Sequence, residues 1–206
     1  MTKAKIRIGV LALQGAFVEH VEVLSRLEIE AVEVRLPENL KGLSGLIIPG
    51  GESTTILKLM GIYGLFQPLK ARIQSGLPVL GTCAGMICLA KAVSNSRESA
   101  LEPLAVMDIE VARNAFGRQV DSFEVDLSMP VLGEKPYHAI FIRAPLIASV
   151  KPGVEVLAGL PGGAIVAARQ GNMLVSSFHP ELTDDPRFHQ YFLRMAEGFR
   201  AASTGT

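Results

Sequence analysis

A chain of 206 residues that is 49% hydrophobic and 19% charged carries enough apolar side chain to bury strands on both faces of a sheet, which excludes a disordered chain. Twenty basic residues balance twenty acidic ones, so there is no electrostatic footprint for nucleic acid or an anionic membrane, and the expected partners are small molecules or proteins. Cys83 and Cys88 are too close together for a disulfide framework, no Cys/His spacing suits zinc or another metal, and no apolar run approaches the roughly 20 residues of a membrane helix. A reducing cytoplasm is the expected setting.

The length suits one domain, expected over residues 1–200, with 201–206 as a frayed tail. Lys3 and Lys5 precede an apolar run, but Arg7 and Gln14 interrupt it and no small-residue cleavage site follows, so this is a first strand (6–13) rather than a signal peptide. Phe17, Val21 and Leu24 then fall at helical spacing, and strands are expected at 30–35 and 43–48. Ser53 or Thr54 is read as the cap of a helix carrying Ile56, Leu57 and Met60. A strand at 77–80 leads into a helix that begins at Ala84, and 94–100 is read as a polar surface loop. Strands at 106–112 and 120–127 are close enough in sequence to suggest a hairpin-like antiparallel addition. Further strands are expected at 139–142, 154–157, 164–168 and 173–177, and an amphipathic helix at 186–200 turns Phe188, Phe192, Met195 and Phe199 to the core. The β-α-β-β order implies a largely parallel sheet covered on both faces, with ligands at the carboxyl ends of its strands.

The chemistry gathers at Gly81-Thr82-Cys83-Ala84-Gly85, the thiol counterpart of the Gly-x-Ser-x-Gly elbow. Flanking glycines make room for a strained strand-to-helix corner, the helix start favours a thiolate, and the Ala84 N–H points where an oxyanion would form. A small buried hydrophobe is the bland alternative for Cys83, and the paired glycines argue against it. After the third strand, Pro49-Gly50-Gly51-Glu52 can turn the Gly51 N–H to the same place as a second oxyanion donor. His179 follows a strand, and Glu181, two residues on past a stiffening proline, shares its face in an extended segment. Together they form a nucleophile, a base and an orienting carboxylate. His20 and His189 fall in expected helices and His138 in a loop, all with solvated or structural roles. Cys88 is assigned to core packing. Arg113 and Arg143 could hold a carboxylate in their guanidinium forks, although the simpler reading of each is a surface arginine.

These motifs, with Gly9-Val10-Leu11-Ala12-Leu13-Gln14-Gly15, the run from Arg113 to Glu124, Phe141-Ile142-Arg143-Ala144-Pro145 and Ser177-Phe178-His179-Pro180-Glu181-Leu182, span nearly the whole chain. The chain resembles the class I, triad-type glutamine amidotransferases and, within them, the glutaminase subunits of pyridoxal 5′-phosphate synthases. Met86 stands where a leucine is usual and Ala115 where serine is common. The resemblance implies a flavodoxin-like, three-layer α/β fold with a mainly parallel central sheet, helices on both faces and an added antiparallel segment. It implies hydrolysis of L-glutamine to glutamate and ammonia by Cys83, His179 and Glu181 through a thioester, with Gly50, Gly51, Glu52, Arg113, Ile142 and Arg143 binding glutamine. It also implies a synthase partner, a dodecameric core decorated with glutaminase subunits, that uses the ammonia to make pyridoxal phosphate. That compound is then the partner's product, and no cofactor is expected here. Competing readings are a cysteine peptidase or deglycase-like hydrolase on a similar sheet, a non-catalytic subunit, and a glutaminase serving a different synthase.

Overall fold

In the computed structural model, the described residues are 6–94, 102–113 and 122–204, with side chains described through 201. The central sheet has ten strands: β1 (Arg7–Leu11), β2 (Glu30–Val34), β3 (Gly45–Ile48), β4 (Val79–Thr82), β5 (Ala90–Ser94), β6 (Met107–Ala112), β9 (Leu146–Val150), β10 (Glu155–Gly159), β11 (Ile165–Gln170) and β12 (Met173–Ser176). They lie in the order β2-β1-β3-β4-β12-β11-β9-β6-β5, with β10 on β11. From β2 to β12 every neighbour is parallel; β12, β11, β10, β9 and β6 then pair antiparallel along the other half. A separate antiparallel pair, β7 (Ser122–Leu127) and β8 (Tyr137–Ile142), lies outside this sheet.

The inner parallel strands β3 and β4 read as apolar runs because both of their faces are covered, whereas β2 at the edge carries Glu30 and Glu33. Alternate residues feed two cores: Leu46, Ile48, Val79 and Val175 face one, and Ile8, Val10, Ile47, Leu80 and Leu174 the other. The first core is closed by α2 (Ser53–Ile62), α3 (Phe66–Gln74) and α4 (Ala84–Leu89), and the second by α1 (Phe17–Arg26), α5 (Arg187–Thr204) and the β7–β8 pair. The expected layered architecture is therefore present, antiparallel addition included. None of the helices is long and apolar enough to cross a membrane, among the described residues.

Several local expectations are corrected. The strands at 106–112 and 120–127 do not pair: β6 lies between β5 and β9, while β7 pairs β8. Close spacing suggested the hairpin, but the partners that bury these strands lie elsewhere in the sequence. β5 and β9 were not expected, and His138 sits on β8 instead of in a loop, bridging Asp126 at 2.9 Å and Glu124 at 3.0 Å. α5 runs on through Thr204, into the stretch expected to fray. Most of the polar loop expected at 94–100, and the segment between Arg113 and β7, lie outside the described residues.

Candidate active site

Because β1, β3, β4 and β12 are adjacent and parallel, the loops leaving their carboxyl ends meet on one edge of the sheet. Those loops carry Gln14-Gly15, Gly50-Gly51-Glu52, Cys83 and His179. In the β4–β12 register Thr82 faces Ser176, so Cys83 and His179 emerge side by side although they come from opposite halves of the chain. Arg113 arrives from the end of β6, and Ile142 and Arg143 from the end of β8. The His179 N–H donates to the Ile140 carbonyl at 2.8 Å, which ties β8 to His179. Gly51, Glu52, Cys83, Ala84, Arg113, Ile142, Arg143 and His179 all line one cavity of about 420 Å³. Gly50 packs under it against His179 and Cys83, and Glu181 lies behind His179.

Cys83 has φ 48° and ψ −105°, a backbone conformation that costs a non-glycine residue about 1–3 kcal/mol. The corner is held by the Cys83 N–H donating to Ser176 at 2.7 Å and by the Met86 N–H donating to the Cys83 carbonyl at 3.1 Å. Gly85 is required just beyond, since a Cβ there would stand 2.0 Å from the Ile48 carbonyl oxygen. The start of α4 is thus pressed directly onto the end of β3.

His179 is buried, and its Nδ1 lies 2.7 Å from Glu181 Oε1. Burial works against the protonated ring, but hydrogen bonds to Cys83 and Glu181 and their negative charges outweigh it and raise the imidazole to about 10. A pKa raised from 6.5 means that the folded state holds a proton the unfolded chain gives up. This contribution to stability is complete below pH 6.5 and is lost as pH rises through about 10. Urea midpoints should therefore fall between pH 7 and 10, with a shallower fall in His179→Gln.

Glu52, expected to touch substrate, has a second task. It, and neither Ser53 nor Thr54, is the N-cap of α2, with its Oε2 accepting from the Thr55 N–H at 2.8 Å. The two hydroxyls instead accept from Arg113 Nη2, Thr54 at 3.3 Å, so the guanidinium is anchored at the cavity wall. Glu52→Ala should cost about 1 kcal/mol of stability, read as a lower urea midpoint. Gln14, which the sequence reading passed over, also lines the cavity, and its Oε1 accepts from the Glu52 N–H at 2.7 Å. Its place beside Gly15 after the first strand was the available signal.

His20 and His189 are fully buried and in contact with each other, and His20 also reaches the back of Glu181. Cys88 is also fully buried, and desolvation pushes its thiol up to about 12, which leaves it a packing residue.

A cysteine at a strained strand-to-helix corner, facing a carboxylate-backed imidazole, places the molecule among the α/β cysteine hydrolases. Within that class, the chain belongs to the SNO glutamine amidotransferase family, whose pattern matches residues 10–198. It is 60% identical over 188 residues to the pyridoxal 5′-phosphate synthase subunit PdxT of Carboxydothermus hydrogenoformans, covering 91% of this chain and 96% of that one. To the protein of the same name from Dehalococcoides mccartyi it is 57% identical over 196 residues, covering 95% and 100%. A crystal structure of a glutamine amidotransferase superposes with a TM-score of 0.85 at 54% identity, covering 92% of this chain and 98% of the other.

Proposed function

We propose that this chain is the glutaminase subunit of a pyridoxal 5′-phosphate synthase, hydrolysing L-glutamine and passing the ammonia to a synthase subunit in vitamin B6 biosynthesis. The observation that carries this reading is the convergence of Cys83, His179 and Glu181 at a cavity that also holds Arg113 and Arg143. A site of this size with two guanidinium groups suits a free amino acid with an α-carboxylate better than a peptide chain.

The Cys83 sulfur attacks the side-chain amide carbon of glutamine, and the tetrahedral oxyanion is received by the N–H groups of Gly51 and Ala84. His179, protonated and steadied by Glu181, gives its proton to the leaving nitrogen, so that the C–N bond breaks as ammonia departs and a γ-glutamyl thioester remains. A water, deprotonated by the now neutral His179, attacks the thioester and releases glutamate and the thiolate, and the proton returned to the imidazole restores the starting pair. Gly50, Gly51, Glu52, Arg113, Ile142 and Arg143 hold the substrate, and no cofactor takes part.

The Gly50 carbonyl accepts from the Ala16 N–H at 3.0 Å, which directs the Gly51 N–H to the opposite side of the same planar peptide. Docking of the synthase regulates the rate if it decides between this orientation and its flip. The reading is tested by following glutamate release from glutamine with and without the synthase subunit. A large rise on adding synthase, together with labelling of Cys83 by a glutamine-analogue diazo-ketone, is expected. No glutamate release and no labelling in the complex would overturn it.

A further inference from the structure

Behind the site lies a polar chain that the proposed reaction does not use. His20 on α1 and His189 on α5 have no exposed surface, and His20 Nδ1 is 2.9 Å from His189 Nε2. His20 Nε2 is 3.3 Å from Thr82 Oγ1, the residue before the nucleophile, and 3.4 Å from Glu181 Oε2. Glu181 Oε1 is taken by His179, whereas Oε2, also buried, makes no standard hydrogen bond among the described residues. A buried carboxylate oxygen without a partner is costly, so the ring nitrogen 3.4 Å away matters.

Thr82 Oγ1 can donate to His20 Nε2 or accept from it, so the choice of tautomers falls to Glu181 and His189. If His20 carried its proton on Nδ1, its Nε2 lone pair would face the carboxylate, and His189 would bury an unpaired N–H at Nδ1. With the protons on the two Nε2 atoms, His189 donates to His20 Nδ1, and the His20 Nε2–H lies between Thr82 Oγ1 at 3.3 Å and Glu181 Oε2 at 3.4 Å. The His189 Nδ1, which lacks a partner among the described residues, is then a bare lone pair, the less costly group to leave unmet.

We propose that His20 is a positioning residue of the glutaminase reaction, holding Glu181 from behind through Nε2–H while His189 fixes its tautomer. This rests on the function proposed above. The groups facing His20 are Glu181 and His179 from the turn after β12, His189 from α5 and Glu19 from its own helix, while Arg26 acts on His189. Burial keeps His20 neutral, opposed by Glu181 and aided by His179. Burial also opposes charge on Glu181, yet the imidazoles facing it hold its carboxyl below the usual range.

The test compares wild type, His20→Leu and His20→Gln in complex with the synthase subunit. For His20→Leu, kcat is expected to drop by about 10–100-fold with KM for glutamine nearly unchanged. The acid limb of its pH profile moves to higher pH, because Glu181 is protonated more readily. His20→Gln, which keeps an N–H near the same position, recovers much of the rate. A purely structural histidine would lower the folded fraction without moving the acid limb. A folded His20→Leu with wild-type kcat and pH profile would overturn the proposal. If that variant does not fold, or if the wild-type complex lacks glutaminase activity, nitrogen NMR of wild-type histidines still decides. An Nε2–H tautomer at His20 that does not titrate between pH 6 and 8 supports the proposal, and an Nδ1–H tautomer or a charged ring defeats it.

Discussion

Cys83→Ala is expected to lower glutamate production by on the order of 10⁵-fold or more, while the folded protein still binds glutamine. The size follows from the division of labour: His179 and the oxyanion donors can assist an attack, but without sulfur there is no thioester to form. Cys88 cannot substitute, since it is sealed in the core with its thiol pushed up to about 12. Single-turnover assays in complex with the synthase measure the loss, and calorimetric titration with glutamine measures the binding that remains. Cys83→Gly adds a second, opposite reading. At φ 48° a glycine relieves the backbone, so that variant should be equally inactive yet more stable than Cys83→Ala by roughly 1 kcal/mol in urea. Equal stability of the two would argue against a strained corner.

Gly15→Ala should cost about 10²–10³ in turnover although residue 15 carries no reacting group. At φ +98° the position suits glycine alone, and an added Cβ would stand 1.9 Å from the Gly50 carbonyl oxygen. The Gly50–Gly51 peptide must then move, taking with it the proposed Gly51 oxyanion donor. Gly153→Ala separates this from general strain, because Gly153 has φ +91° and open space where its Cβ would go. That variant should lose stability and keep its kcat. Similar kcat losses in both would show that the Gly15 contact is not what positions the donor.

The strained corner at Cys83 was legible because its requirements are local: small residues on both sides and an apolar strand running into it. The order of the sheet was not. β12 lies beside β4, its partner 94 positions earlier in the Ser176↔Thr82 pairing, and no periodicity encodes that neighbour. The hairpin expected of the strands at 106–112 and 120–127 failed for the same reason, since adjacency in sequence is only a prior for pairing. On α1 the stripe of Phe17, Val21 and Leu24 was legible, whereas the fully buried face holds His20, Val23 and Leu24. A histidine counts as polar in any hydropathy reading, and what permits its burial is a second histidine 169 residues away. The Glu52 cap was missed because serine and threonine are the commoner caps, and here their hydroxyls are engaged by Arg113.

The insertion of β12 between β4 and β11 has a consequence for the order in which the living protein gains its activity. As the polypeptide leaves the ribosome, the Cys83 thiol emerges long before the His179 imidazole proposed to work with it. A nascent chain is therefore expected to be silent toward glutamine until β12 and the residues that follow it have been made. Ammonia release is then expected only once that strand has taken its place in the sheet and brought the two side chains together.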